Sequence, residues 1–534
     1  MRTTSTRRPR STRGARASTR RRCDDVERFG TAIVGTGFSG LGMAMRLADA
    51  GDRDFVIFEK ASSVGGTWRE NHYPGCACDV PSHLYSYSFA PNPRWSRAYS
   101  PHHEIREYLE RCAQEWKLDS HLRFECPVTR AVFDETRGVW RLSTPQGEVE
   151  ARDLVFGVGA LSRPALPSFE GMETFEGPSF HSAAWDHAVS LAGKRVAVVG
   201  TGASAIQIVP EVAKEVAHLD VFQRTAPWVL PKPDRAYTEA EKHRFERSPW
   251  RREAHRARIY ASAELAAVGM TLEPRVMAVA ETLGRRHIQR QIRDTSLRAK
   301  VTPTFKAGCK RILLSNDYYR ALARPHVDVV TDGIARIEPW GIRTRSGELR
   351  EVDVIAYATG FAVADFLTPV EVVGRRGVRL AEAWADGIES HLGTTVNGFP
   401  NLYLLMGPNT GLGHNSMVFM IEAQIHHVLG LRAARDRKNA ATVEPRPSAQ
   451  HAFNVGIQKR LERTVWASGC ASWYLDEHGK NRTLWPGFTF EYWWRTRRVD
   501  EEAMAFEPTR RTHADLRGEV RMTGAAKSPV ERTT

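Results

Sequence analysis

Glycines at positions 35, 37 and 40 follow an apolar run and open an amphipathic one, in the order Gly35-x-Gly37-x-x-Gly40. This spacing suits a pyrophosphate. Glycine lets the chain turn tightly and approach the phosphates, whose charge then meets the N-terminus of the following helix. Glu59, 24 residues after Gly35, closes the next apolar run, where a carboxylate accepts ribose hydroxyls. Gly200, Gly202 and Ala205 repeat the turn as GxGxxA, and aligning the strand ends sets Phe58-Glu59-Lys60 against Phe222-Gln223-Arg224. A carboxylate repels a ribose 2′-phosphate, whereas a guanidinium binds it bidentately. The first turn therefore suits an unphosphorylated ribose and the second suits NADP, a pair that points to FAD and NADPH.

Each turn needs a strand before it and a helix after it. Residues 31–60 and 195–224 both read as apolar strand, glycine turn, amphipathic helix and second strand, one βαβ unit written twice about 165 residues apart. Such alternation predicts a parallel sheet covered by helices. Residues 151–160 and 352–361 each read as a strand ending in small residues. Thr238 and Glu241 form a capping box, and the basic stretch from there to about Lys300 reads as helical. The expected fold is α/β, with two Rossmann-like dinucleotide-binding domains and a helical insertion. Its FAD domain takes residues 29–160 and 386–508, its NADPH domain 161–232 and 301–385, and the insertion 233–300. An Arg-rich tail (1–28) and a polar tail (509–534) flank them.

Composition excludes more than it identifies. The chain of 534 residues carries a formal charge of +14, but nine arginines and no acid fall in the first 22 residues. Without them the body carries about +5, which gives no reason to expect nucleic acid. The tail is almost free of apolar side chains and is expected to be disordered. No run approaches the roughly 20 apolar residues of a membrane span. Seven cysteines, scattered save for Cys76 and Cys78, make no disulfide framework, so the reducing cytoplasm is the expected compartment. No metal-ligand set is read.

Between the two units lie Gly65-Gly66-Thr67-Trp68, Tyr73-Pro74-Gly75 and Asp79, followed by Phe175, Gly177, His181, Trp185 and Asp186. With these two ordered patterns, GGxWxxxxYPGxxxD and FxGxxxHxxxWD, the sequence resembles the Baeyer–Villiger monooxygenases from about Thr31 to Trp494. The resemblance implies conversion of a ketone to an ester or lactone with O2, through a flavin C4a-peroxide. It places the arginine matching Arg311, in GCKRILLSNDYY, beside the flavin, with Asp79 on its rigid Pro-Gly loop orienting it. A fixed guanidinium would stabilise the peroxide anion and then the oxyanion of the adduct. Lys310 would help Arg224 hold the 2′-phosphate, while Trp68 and Thr225 complete the expected cofactor contacts. Phe175, Gly177, His181 and Trp185 are expected to couple the domains rather than transfer protons. The loop Gly407 to His414 is expected near FAD, and NADP is expected to stay bound through the cycle.

Other classes leave signatures of their own. A flavin-containing N- or S-oxygenase would use the same scaffold on amines or thioethers, and Trp185-Asp186 with Arg311 favours ketones over these. A pyridine-nucleotide disulfide reductase needs a redox pair such as CxxC, whereas Cys76-Ala77-Cys78 is one residue apart. A non-enzymatic protein acting through its Arg-rich tail would have no use for two cofactor turns. The identity of the ketone is not written in these motifs.

Overall fold

The computed structural model describes residues 26–363 and 367–508, so the C-terminal tail and residues 1–25 of the N-terminal tail lie outside it. Strand β1 (Glu27–Val34) begins inside the stretch expected as tail, because Thr31–Val34 and the residues before them find a partner in the sheet. It pairs in parallel with β2 (Phe55–Phe58), Thr31 facing Phe55 and Val34 facing Phe58, and α1 (Phe38–Asp49) crosses between them. Ala32–Val34 and Phe55–Phe58 are apolar and buried without alternation because both faces of a parallel sheet are covered. A Cβ on Gly40 would stand 1.9 Å from the Gly35 carbonyl oxygen, so only glycine lets α1 sit this close to its own turn.

The sheet widens through β3 (Leu122–Arg123), β4 (Arg130–Asp134), β5 (Val139–Thr144) and β6 (Gly147–Phe156). Strand β6 is long enough to serve two partners along one edge. Gly147–Ala151 pair antiparallel with β5, and Leu154–Phe156 pair parallel with Leu402–Leu404. Asp153 on β6 is fully buried and is answered by Arg432 and Arg435 of helix Met417–Arg437, which ties the C-terminal half to this sheet. One domain boundary differs from the expected one. Glu371–Val373 pair with Arg130–Val132, so the chain is back in the first sheet by Glu371 and not at 386. The open edge of β4 offers unpaired backbone groups, and Val372 and Val373 bury their side chains on reaching it.

The second sheet is all parallel. It holds β7 (Ser179–His181), β8 (Arg195–Val199), β9 (His218–Phe222) and the strands Val327–Val330 and Val354–Tyr357. Helix α4 (Ala205–Val212) joins β8 to β9. Helices α5 (Glu239–Arg247), α6 (Pro249–Ala267), α7 (Met277–Gln291) and α8 (Thr295–Val301) form the insertion, between two short strands, Val229–Leu230 and Leu313–Leu314, that pair in parallel. The capping box is present: Thr238 Oγ1 accepts from the Glu241 N–H, and the Glu241 carboxylate accepts from the Thr238 N–H at 2.9 Å.

The cysteines depart from expectation. Cys309 and Cys470, 161 residues apart, form a disulfide, while Cys76, Cys78, Cys112 and Cys126 are free and buried. Spacing could not reveal the pair, since only folding brings these two segments together. Among the described residues no helix is long and apolar enough to cross a membrane.

Candidate active site

Asp79 and Arg311 come together from segments 232 residues apart in sequence. Asp79 lies between two helices, α2 (Thr67–Glu70) and α3 (His102–Glu115), on a loop secured by the Cys78 N–H donating to the Ser100 carbonyl at 2.9 Å. Arg311 lies two residues before the strand Leu313–Leu314 that closes the insertion. Its Nε and Nη2 donate to one carboxylate oxygen of Asp79 at 3.1 and 2.6 Å, and Nη1 points to the Leu412 carbonyl at 3.4 Å. Both side chains keep about a third of their surface open, 31% for Asp79 and 32% for Arg311, so the pair is held from behind and reachable from the front. Burial by itself would push the Asp79 carboxyl up, but the guanidinium outweighs it and holds the group below its ordinary range. Asp79 in turn raises Arg311, which keeps its charge at any pH the protein meets.

Two neighbours of this pair escaped the sequence reading. Lys232 donates its Nζ to the Cys78 carbonyl at 3.2 Å and lies 4.8 Å above the Tyr99 ring, adding a second cation behind Asp79. Burial lowers its pKa, and the nearby acids only partly offset that. Gln207, in the first turn of α4, exchanges two hydrogen bonds with the backbone of Ala77 and accepts a third from Tyr73. A lysine after VLP and a glutamine after GxGxxA carry no chemical signal until their contacts are known.

The two dinucleotide turns stand at the C-terminal ends of their strands. Glu59 is buried and anchored: it accepts from Thr36 N–H at 3.0 Å, Thr36 Oγ1 at 2.6 Å, Ala61 N–H at 3.0 Å and Arg69 at 3.2 Å. Neither α1, capped by Gly37, nor α4, capped by Ser204, has a side chain bonded to its first N–H groups. Those donors fit a pyrophosphate. A Cβ on Gly202 would meet nothing within 4 Å, so the second turn faces open space of the kind a phosphate fills. Thr225 flanks this turn, its carbonyl accepting from Thr201 Oγ1 at 3.0 Å. Gln223 turns away from it and donates to the Lys300 carbonyl at 2.7 Å.

Arg224 and Lys310 are neighbouring cations. Lys310 has its pKa lowered first by burial and then by Arg224, and its Nζ lies 5.0 Å over the Phe305 ring. Neither forms an ion pair with a carboxylate among the described residues. Two adjacent cations without an acid between them are the donor set a 2′-phosphate requires, so the residues here fit NADP.

The remaining motif residues are placed by their contacts. Trp68 is buried and donates to the Tyr85 hydroxyl at 3.3 Å. Phe175 packs against the core of the second sheet, and a Cβ on Gly177 would stand 2.3 Å from the Asp353 carbonyl. His181 ends β7 opposite Tyr357 and accepts from the Ala183 N–H, while Trp185 lies buried against Phe180. Residue 187, just past this motif, reaches the first one: His187 and His72 approach to 2.9 Å. The thiols of Cys76 and Cys78 are pushed up by burial, Cys76 to about 12, which leaves them protonated and unreactive. Of the tryptophans near the C-terminus, Trp485 is core, whereas Trp473, Trp493 and Trp494 are exposed.

Comparison with known proteins shows the family. Residues 29–239 match the family model described as flavin-binding monooxygenase-like. A Baeyer–Villiger monooxygenase of Pseudomonas aeruginosa is 48% identical over 493 residues, covering 92% of this chain and 93% of the relative. Another, of Streptomyces coelicolor, is 46% identical over 89% of this chain and 92% of its own length. The solved structure of an oxidised steroid monooxygenase bound to NADP superposes with a TM-score of 0.81 at 31% identity, covering 90% of this chain and all of that one. Identity of this order along nearly the whole of both chains places the protein in the Baeyer–Villiger monooxygenase family.

Proposed function

We propose that the protein is an FAD- and NADPH-dependent monooxygenase that inserts one atom of O2 beside the carbonyl of a ketone, giving an ester or lactone. The Asp79–Arg311 pair carries this reading. Carbonyl addition puts negative charge on the substrate oxygen, and a guanidinium fixed before the reaction stabilises that charge without reorganising. Asp79 fixes it, through two hydrogen bonds to one oxygen. When bound, the flavin supplies the activated oxygen and the nicotinamide the hydride.

The glycine turn at Gly35, Gly37 and Gly40, with Glu59, is the FAD site in this reading, and the turn at Gly200, Gly202 and Ala205 is the NADPH site. Arg224 and Lys310 hold the 2′-phosphate there, and Thr225 borders it. The flavin domain takes residues 27–160 and 371–508, and the NADPH domain lies between them with its helical insertion. Phe175, Gly177, His181 and Trp185 keep the domains in register.

The test supplies the FAD-loaded protein with NADPH, ¹⁸O₂ and a panel of cyclic, linear and aromatic ketones, and reads products by mass spectrometry. An ester or lactone carrying one ¹⁸O is the expected result. Oxidation of thioethers or amines with no product from any ketone would overturn the assignment in favour of an N- or S-oxygenase.

A further inference from the structure

The Tyr73-Pro74-Gly75 turn of the first fingerprint rests against the helix that follows the second glycine turn. Gly75 has φ +79°, and a Cβ there would lie 2.6 Å from the Gln207 carbonyl oxygen. The contact therefore demands glycine for conformation and for space at once. Beside it the Gln207 amide treats Ala77 as a neighbouring strand would. Its Nε2 donates to the Ala77 carbonyl at 2.9 Å, and its Oε1 accepts from the Ala77 N–H at 3.3 Å. Oε1 also accepts from the Tyr73 hydroxyl at 3.1 Å. Two residues beyond Ala77 is Asp79. Two residues before Gln207 is Ala205, the third residue of the GxGxxA turn.

We infer that Gln207 is a positioning residue, which transmits occupancy of the second dinucleotide site to the Asp79–Arg311 pair. This rests on the roles proposed above for that turn and that pair. The physical path is short. A pyrophosphate drawn to the N-terminus of α4 acts on its first turn, where Gln207 stands. The amide is fixed at both ends and joins that turn to a backbone with little freedom of its own. Ala77 is bridged to Pro101, and the next residue, Cys78, is held by Ser100 and Lys232. A shift of the first turn therefore moves the Asp79 loop as a unit, and with it the carboxylate that aims Arg311. A merely structural contact would hold the loop equally with the site empty or filled.

The experiment uses the full-length, FAD-loaded protein as wild type, Gln207→Leu, Tyr73→Phe and Arg311→Ala. Hydrogen–deuterium exchange of the peptide spanning residues 72–80 is read with and without NADP⁺. The peroxide share, meaning hydrogen peroxide formed from O2 per NADPH oxidised, is read with a ketone that the wild type turns over. NADP⁺ should slow exchange of this peptide in the wild type and leave it unchanged in Gln207→Leu. In that variant the peroxide share should rise about fivefold, within the ordinary range of coupling between sites. Flavin reduction by NADPH should stay near the wild-type rate. Tyr73→Phe removes one bond of three and should move both readouts the same way by less, which keeps the test open if Gln207→Leu does not fold. NADP⁺-dependent protection and a wild-type peroxide share in Gln207→Leu would overturn the inference, even while Arg311→Ala abolishes oxygenation. Wild-type oxygenation by Arg311→Ala would instead sink the proposed function, and the exchange arm would still decide whether Gln207 links the two segments.

Discussion

Arg311 gives two of its hydrogen bonds to a single oxygen of Asp79, at 3.1 and 2.6 Å, although 232 residues separate them in sequence. With Asp79 taking Nε and Nη2 and Leu412 taking one N–H of Nη1, one N–H on each Nη is left for another anion. Arg311→Ala should therefore lower turnover of a ketone by about 10²–10³, the usual cost of losing one preorganised oxyanion donor. Anaerobic flavin reduction by NADPH should persist. Steady-state oxygenation beside single-turnover reduction checks this, and loss of both together would mean that Arg311 serves binding or folding instead.

Arg224 and Lys310 predict the nucleotide preference. Replacing either with alanine removes a charge-assisted bond worth about 1.5–3 kcal/mol, or roughly 10–100-fold in KM for NADPH. The constants for NADH should hardly move, because NADH lacks the group these residues hold. Kinetics with both nucleotides decide the matter. An equal loss for the two would remove the 2′-phosphate assignment.

Acid should destabilise the protein through its buried histidines before it reaches Asp79. Burial lowers His414 to about 4, His427 to about 4 and His83 to about 3, against an ordinary 6.5. The folded protein keeps these rings neutral where the unfolded chain would protonate them. Their contribution is complete above pH 6.5 and is lost as pH falls from there toward 4, on the order of 3 kcal/mol for each ring. Asp79 has linkage of the same sign at lower pH: its depressed pKa keeps the ion pair's contribution complete above the ordinary 3.8 and loses it only as pH falls below that. Urea unfolding between pH 7.5 and 4.5 should show a midpoint that holds down to about pH 6.5 and drops from there to 4.5. A flat profile would mean that the histidines are hydrated.

Cys309 adjoins Lys310 and Arg311, and its disulfide ties them to the segment that carries Tyr474. Cys470→Ser should lower the stability of the fold by about 2–4 kcal/mol. Thiol titration of unfolded protein should count two more thiols after a reductant than before. An unchanged count would show that the bridge does not form in solution.

The Rossmann frame was legible because its signals are local. The glycine turns at Gly35 and Gly200, the apolar strands around them, Glu59 against Gln223-Arg224, and the capping box from Thr238 to Glu241 all act within a few residues. The two fingerprints were legible through the family resemblance, which also singled out Asp79 and Arg311, the two side chains that meet in the candidate site. Backbone sterics and helix-terminus charge impose such patterns wherever they occur.

Partnership was a different matter. Nothing near Cys309 announces Cys470, nothing near Gln207 announces Ala77, and Lys232 is an unremarked lysine until Cys78 and Tyr99 surround it. Glu371–Val373 is too short and too mixed a run to say which sheet it will join until the free edge of β4 is there to receive it. These contacts close loops of up to hundreds of residues. Their stability comes from the packing of everything between, so no stretch of chain encodes one alone.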